Sequence, residues 1–345
     1  MAYTDIDKPS DYFNTKLYTG NAGGQAISGI GFQPDFLWIK ARSDAYQHSL
    51  RDVIRGSTKT LRSNGTNTEQ TQSDSVTSFD SDGFTLGADS SSFVNQNSST
   101  YVSWNWKANG AGSANTDGSQ SATVSVNTTA GFSIVKFVNV TTATTNTFGH
   151  GLSVAPKVII MRSLDSAYNW DVYHHKIAIS KRLILNSTSA ESSSTYMNST
   201  SPTNQVFTVK SDEFANNDDC IAYCFADVQG YSKVSGSYTG NGNVDGPFVY
   251  TGFKPAFVLI KNTNATQSWR LIDNKRFGYN VKNIQLYPNL SNAESTGETV
   301  ADILSNGFKI RATDAGVNGS GNTLIYMAFA ENPFTTSTGV PATAR

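Results

Sequence analysis

Charged residues are scarce in this chain of 345 residues, where Asp, Glu, Lys and Arg together make up 15%. An average soluble domain has about 25%. The charges nearly cancel, since 26 Lys+Arg face 27 Asp+Glu and the formal net charge is −1 at pH 7. Nucleic-acid-binding proteins usually carry a basic face, so we expect no nucleic-acid partner. Aromatic residues reach 11%, which excludes a disordered polar chain and is enough for a large core.

Long apolar runs are also missing from the sequence. None approaches the roughly 20 residues that a membrane-spanning helix needs, so we expect no insertion into a membrane. The first eight residues contain no apolar stretch of the kind that forms the centre of a signal peptide. We therefore expect the chain to stay in the reducing compartment where it is made.

Cysteine is nearly absent, with only Cys220 and Cys224 in the sequence. Both lie in a segment that reads as a β-strand, where residues four apart are separated by about 13 Å. A disulfide requires Cα atoms within roughly 7 Å. The two cysteines are therefore predicted to be buried free thiols.

An internal repeat is the most informative feature present. The segment GFQPDFLWIK (31–40) returns as GFKPAFVLIK (252–261), and LSVAPKVIIMR (152–162) is a weaker copy. His48, Trp170 and Trp269 each lie fourteen residues beyond the proline of their copy. Repetition at this period indicates three related structural units.

Each unit reads as short strands separated by turn residues. The apolar runs after the prolines are typical of strands buried on both faces, and the later Phe-x-Leu, Phe-x-Val and Phe-x-Ile segments alternate. The sequence therefore predicts an all-β fold of three tandem β-sandwich, jelly-roll-like modules. The predicted organisation is an N-terminal attachment segment (1–17), repeat 1 (18–108), a Gly/Ser/Asn/Thr linker (109–131), repeat 2 (132–228), a second linker (229–236), repeat 3 (237–334) and a C-terminal tail (335–345).

Residues that could carry chemistry are better explained as scaffold. Asp80 to Gly83 could begin a calcium loop, but the matching turn at 304–307 lacks both carboxylates. His174 and His175 lack the spacing of a zinc site, and His174 occupies the position of Asp52 and Asp273, which favours a structural hydrogen-bonding role. The carboxylate pairs 212–213 and 218–219 could serve glycoside hydrolysis, but their positions favour solvated loops.

We accordingly expect no catalytic residue, no metal, no cofactor and no enzymatic activity. Trp170 and Trp269 could stack on sugars, but their regular spacing favours a packing role. The loops before them vary between units, and variable loops on a rigid scaffold are better ligand-binding candidates. Tyr46, Tyr168 and Gln267 are the candidate binding residues in those loops.

Several longer strings carry a family resemblance. They are YTGN (18–21), GFQPDFLWIK (31–40), DVIRG (52–56), SDGFTLG (81–87), YVSWNWKA (101–108), NST (186–188), CIAYCFADVQGYSK (220–233), DNKR (273–276) and LSNGFK (304–309). Across roughly the whole chain, the sequence resembles the tail-fibre-like repeat and minor virion structural proteins of marine tailed phages, of the cyanophage type.

That resemblance implies a virion structural protein that is assembled in the host cytoplasm together with other virion proteins. We expect a tail-fibre-like homotrimer that attaches to a host-surface glycan, with residues 8–13 docking on the particle. Two alternatives stay open: a capsid or tail decoration protein without host contact, and a polysaccharide depolymerase.

Overall fold

The structure, a computed structural model, describes residues 3–276 and 280–342, and its regular structure is almost entirely β-strand. The predicted all-β class is confirmed. The chain begins with a short 3-10 helix, Pro9–Asp11. Unit 1 contains β1 (Phe13–Thr19), β2 (Gln25–Ser28), β3 (Phe36–Ala41), β4 (Ser49–Asp52), β5 (Lys59–Thr60), β6 (Gln70–Thr71), β7 (Val76–Asp80), β8 (Gly83–Leu86) and β9 (Thr100–Trp106).

The other two units follow along the chain. Unit 2 contains β10 (Ser113–Asn115), β11 (Ala122–Asn127), β12 (Phe132–Val138), β13 (Thr145–Gly149), β14 (Val158–Ser163), β15 (Asp171–His174), β16 (Lys181–Ile184), β17 (Ser192–Ser193), β18 (Val206–Lys210) and β19 (Asp219–Phe225). Unit 3 contains β20 (Ser232–Thr239), β21 (Phe248–Tyr250), β22 (Phe253–Asn262), β23 (Arg270–Asp273), β24 (Ala301–Leu304), β25 (Gly307–Ile310), the short helix α1 (Ala315–Asn318) and β26 (Thr323–Pro333).

The same strand order occurs in all three units. A large antiparallel sheet has the order β1-β9-β3-β4 in unit 1, β12-β19-β14-β15 in unit 2 and β20-β26-β22-β23 in unit 3. In unit 2, β10 and β11 extend this sheet at one edge, and β16 and β17 extend it at the other. A small sheet accompanies each large one, with the orders β2-β8-β7, β13-β18 and β21-β25-β24.

Each large sheet is buried on both faces. One face packs against the small sheet of its own unit and forms a separate core, to which Leu37 and Ile39 of β3 contribute. The other face meets the large sheets of the other two units in one central core, where Phe36 and Trp38 of β3 lie. This two-sided burial explains why the strands after the prolines are continuously apolar.

Aromatic rings from all three units meet in the central core. The ring centroid of Trp106 lies 5.2 Å from that of Phe36, 6.3 Å from Phe225, 5.6 Å from Phe257 and 5.6 Å from Phe329. A cavity of only about 10 Å³ remains among these side chains, which is barely the volume of one water probe. The units are therefore joined through shared packing, and the described residues enclose no ligand chamber at the centre.

Segments predicted to lie outside the repeats belong to this packing. Residues 109–131, predicted to be a linker, contain β10 and β11, and the second predicted linker (229–236) contains the start of β20. Within β11, Ala122 and Val124 are buried although the segment is rich in Ser and Thr. The predicted attachment segment (1–17) contributes Ile6 and Phe13 to the central core. These apolar residues are isolated in polar sequence, so composition did not mark the two predicted linkers and the predicted attachment segment as parts of the core.

The ends of the described chain are held against one another. The backbone N–H of Ser337, in the predicted tail, donates to Asp7 Oδ1 at 2.6 Å. Thr335 also forms a bridge with Pro341. Residues 335–342 therefore pack beside the N-terminal segment; the last three residues of the predicted tail lie outside the described range.

Candidate functional site

The three predicted binding residues lie in equivalent hairpin loops and are half-buried. Tyr46 packs against the separate core of unit 1. Tyr168 makes an edge-to-face contact with Phe214, with centroids 5.5 Å apart. The backbone of Gln267 is fixed, since its N–H donates to Thr188 O at 2.9 Å and its carbonyl accepts from Lys261 Nζ at 2.6 Å. These loops are thus engaged by the protein itself, and each residue lies in a different unit.

The residues fourteen positions after the prolines link the units in a ring. Trp170 Nε1 of unit 2 donates to Arg62 O of unit 1 at 2.8 Å. Trp269 Nε1 of unit 3 donates to Ile184 O of unit 2 at 3.0 Å. His48 Nε2 of unit 1 lies 3.0 Å from Tyr287 O of unit 3. Each unit therefore contacts the next through an aromatic side chain at the equivalent position, which confirms the packing role predicted for Trp170 and Trp269.

An asparagine fixes each of these rings in place. The backbone N–H groups of His48, Trp170 and Trp269 donate to asparagine side-chain oxygens at 3.3, 2.9 and 3.0 Å; the acceptors are Asn64, Asn186 and Asn289. Each asparagine follows a leucine within three positions; these leucines are Leu61, Leu185 and Leu286. The repeated Leu and Asn signature therefore serves the contacts between units, which we call the seams.

Buried carboxylates occupy two of the three seams. Tyr223 of unit 2 donates to Asp52 Oδ2 of unit 1 at 2.8 Å. Trp104 Nε1 of unit 1 donates to Asp273 Oδ2 of unit 3 at 3.1 Å. Each carboxylate also pairs with an arginine three residues later, Arg55 or Arg276. The structural hydrogen-bonding role predicted for this repeated position is confirmed for both aspartates.

The third seam, between units 2 and 3, has no aspartate and no aromatic donor at these positions. Met327 of unit 3 stands where the other units have Trp104 and Tyr223, because all three face the equivalent position of the strand after the proline. Its neighbour across a small cavity is His174 of unit 2. Burial lowers the pKa of His174 to about 4, so the ring is neutral at pH 7. Met327 replaces the hydrogen-bond donor and His174 replaces the aspartate that accepts from it. Because both are replaced together, this seam contains no buried carboxylate without a partner at the position of Asp52 and Asp273.

Three buried basic residues are a feature that the sequence analysis did not single out. Lys40, Arg162 and Lys261 lie six residues after the three prolines and are fully buried. Arg162 Nη2 donates to Asn67 O of unit 1 at 2.7 Å, and Lys261 Nζ donates to Thr188 O of unit 2 at 3.0 Å. Their recurrence at the end of each apolar run was the available signal. Arg162 and Lys261 fasten backbone carbonyls across the seams, whereas Lys40 Nζ donates to Ala41 O and Asp44 O of its own unit at 2.7 and 3.1 Å.

One carboxylate of each pair is less solvated than predicted. Asp218 is buried and accepts from Ser163 Oγ at 2.6 Å. Glu213 shares Arg182 Nη1 with the buried Asp171, at 2.8 and 2.9 Å. Burial, together with the charge of Glu213, raises the pKa of Asp171. Glu213 and Asp218 therefore hold their loops, whereas the side chain of Asp212 is 67% exposed, as the prediction of a solvated loop requires.

The turn at 80–83 acts as a structural turn. Asp82 accepts hydrogen bonds from the backbone N–H groups of Gly29 and Gly31, at 2.9 and 2.6 Å. This contact joins the β7–β8 turn to the loop after β2, as a turn residue does. Within residues 3–276 and 280–342, no three His, Cys, Asp or Glu side chains are grouped as metal ligands would be.

Cys220 and Cys224 are buried and free in β19, as predicted. Burial raises the pKa of both thiols. Among the described helices, none has the length and apolar character needed to cross a bilayer.

Comparison with known proteins adds a family assignment. A family model described as a domain of unknown function (DUF7483) matches residues 8–333. This range includes all three units, in agreement with their common core. No curated protein sequence matches the chain significantly.

Proposed function

Because the chain belongs to the DUF7483 family, whose description states no activity, we propose its function from its geometry and its sequence resemblance. The protein is a phage virion structural protein of the tail-fibre type that presents β-sandwich units for attachment to a host-surface carbohydrate. The observation that carries this proposal is the ring of equivalent seams, which fixes three units in one mutual orientation.

A rigid ring suits presentation at a particle surface. The large sheets pack against one another in the central core, so the small sheets and their loops form the outside of each unit. In the strands β2, β13 and β21, the equivalent buried position is apolar in every unit, whereas the residues on either side of it differ between units. A common scaffold with different outer surfaces is what a binding protein built from repeats requires.

Weak contacts gain strength when many copies act together. An effective concentration in the millimolar range raises the affinity of linked sites without any new contact. We therefore propose a homotrimer or another symmetric assembly, held on the particle by other virion proteins. Its assembly in the host cytoplasm is compatible with two free thiols.

Locating the protein on the virion tests this proposal. Gold-labelled antibody against the purified chain, viewed by electron microscopy on particles of the encoding phage, should mark the tail. Labelling of the capsid at a copy number that matches capsid symmetry would instead indicate a decoration protein and overturn the attachment function.

A second experiment separates attachment from cleavage. The purified chain is incubated with host surface polysaccharide, and new reducing ends are measured over time. We expect none above the heat-inactivated control. A rate of release that depends on the protein concentration would identify a depolymerase.

A further inference from the structure

Unit 3 exposes two aromatic rings on the outer edge of its small sheet. Strand β21 alternates, so Val249 points into the core while Phe248 and Tyr250 point outward. Phe248 is 47% exposed and Tyr250 is 55% exposed. Because large aromatic side chains are normally buried, two on one outward face call for an explanation.

The other units lack these rings at the equivalent positions. Ile27, Phe148 and Val249 each pair with the repeated phenylalanine of the next strand, and this pairing fixes the alignment of the three strands. The position of Phe248 is Ala26 in unit 1 and Thr147 in unit 2; that of Tyr250 is Ser28 and Gly149. The scaffold therefore does not require aromatic residues here.

A groove lies directly beside Tyr250. It has a volume of about 320 Å³, and its lining includes Tyr3, Asp227, Gln229, Lys233 and Gly252. Tyr3 Oη donates to Gly252 O at 2.6 Å and lies 3.4 Å from Tyr250 Oη. The groove and the exposed rings thus form one continuous surface, which we call the β21 surface.

The charged groups of the groove are positioned in advance. Asp227 Oδ1 accepts from the backbone N–H groups of Val234 and Ser235 at 2.7 and 3.0 Å. Its other oxygen, Oδ2, accepts from Ser235 Oγ at 2.5 Å and lies 3.1 Å from Lys233 Nζ, so donors of the protein occupy this carboxylate. One carboxylate and one ammonium balance each other, so the groove offers donors and acceptors without net charge.

We propose that the β21 surface is a binding subsite for a neutral glycan. A sugar ring presents C–H groups on one face and hydroxyl groups at its edge. Exposed aromatic rings fit the C–H face of the sugar, and the ammonium of Lys233 and the side-chain amide of Gln229 fit its hydroxyl groups. A neutral groove disfavours phosphate or polyanionic ligands, which select for clustered basic residues. This inference rests on the proposed function for its ligand class and adds the location, which is the β21 edge of unit 3 together with Tyr3 and residues 227–229 beside it.

Binding of defined sugars tests the subsite directly. The probes are cellohexaose, maltohexaose and mannohexaose, added to the full chain and measured by saturation-transfer NMR and calorimetry. We expect at least one to bind with a millimolar Kd. Tyr250→Ala should weaken that binding about tenfold, and Tyr250→Phe, which keeps the ring, should stay within about twofold.

The matched control is Ser28→Ala, at the position of Tyr250 in unit 1, and it should bind like the unmodified protein. Because Tyr250 is largely exposed, its replacement should leave the melting temperature unchanged, and this is checked in the same samples. Failure of all three probes to bind would refute the subsite, as would unchanged binding by Phe248→Ala/Tyr250→Ala. Capsid labelling together with Tyr250-dependent sugar binding would overturn the proposed attachment function and leave the subsite standing.

Discussion

Replacing Tyr223 by phenylalanine removes one hydroxyl from a seam and leaves the packing intact. That hydroxyl donates to Asp52 Oδ2 at 2.8 Å and accepts from Arg55 Nη2 at 3.3 Å, and the residue is almost fully buried. The ring itself stacks on Phe36, with centroids 4.2 Å apart, and phenylalanine preserves this contact. The variant therefore removes the two cross-unit hydrogen bonds of this one hydroxyl and leaves the ring contact in place.

The expected loss follows from the charge of the acceptor. A hydrogen bond to a charged group contributes about 1.5–3 kcal/mol, so Tyr223→Phe should lower the free energy of unfolding by about 2 kcal/mol. With about 2.1 cal/mol/K of unfolding entropy per residue, a chain of 345 residues should lose roughly 3 °C in melting temperature. Scanning calorimetry and urea unfolding measure both quantities.

Tyr196→Phe is the matched control within unit 2. Tyr196 is also buried, but its hydroxyl is among the described buried polar atoms without a hydrogen-bond partner. Removing it should change stability by less than about 0.5 kcal/mol or increase it slightly. A loss below about 0.5 kcal/mol for Tyr223→Phe, or equal losses for the two variants, would refute the role assigned to the seam.

Three further predictions concern the core, pH and the thiols. Trp106→Ala should lower the free energy of unfolding by about 3–5 kcal/mol and shift the whole calorimetric transition to lower temperature. A shift confined to one of several separate transitions would contradict a shared core. Burial lowers the pKa of Lys40 to about 7 and of Lys261 to about 8; the unfolded chain then binds more protons above these values, so urea stability should rise from pH 7 to 9. Lys40→Met should flatten that rise, and an unchanged slope would contradict it. Cys220 and Cys224 should resist a thiol reagent in the native protein and react after unfolding; rapid native labelling would show the thiols to be accessible.

The sequence was most informative about what each unit buries. Regular spacing from the prolines indicated that Trp170 and Trp269 pack inside, since a scaffold position recurs in every copy. The two-sided burial of the strands after the prolines was readable from their unbroken apolar runs. These signals are local, and the structure agrees with them.

The contacts between units could not be predicted from the sequence in the same way. Trp170 contacts Arg62 across 108 positions of the chain, and no local pattern states which unit lies beside which. Composition also misassigned β11, where the buried Ala122 and Val124 are hidden among Ser and Thr. The half-buried Tyr46 and Tyr168 were chosen because their loops vary, but variation also arises where loops pack against different neighbours.

The exposed pair in β21 shows what the combination of repeat and structure adds. Phe248 and Tyr250 are unremarkable in a strand sequence, where aromatic residues usually indicate a core. Only the pairing register reveals that they face outward, and only comparison with Ser28 and Thr147 shows that the scaffold does not need them.

Scanning calorimetry of the whole chain tests the central claim, that three units fold as one body around a common core. We predict a single transition in which the calorimetric enthalpy equals the van't Hoff enthalpy. Separate transitions, or a calorimetric enthalpy about three times the van't Hoff value, would show three independently folding modules and contradict the shared core.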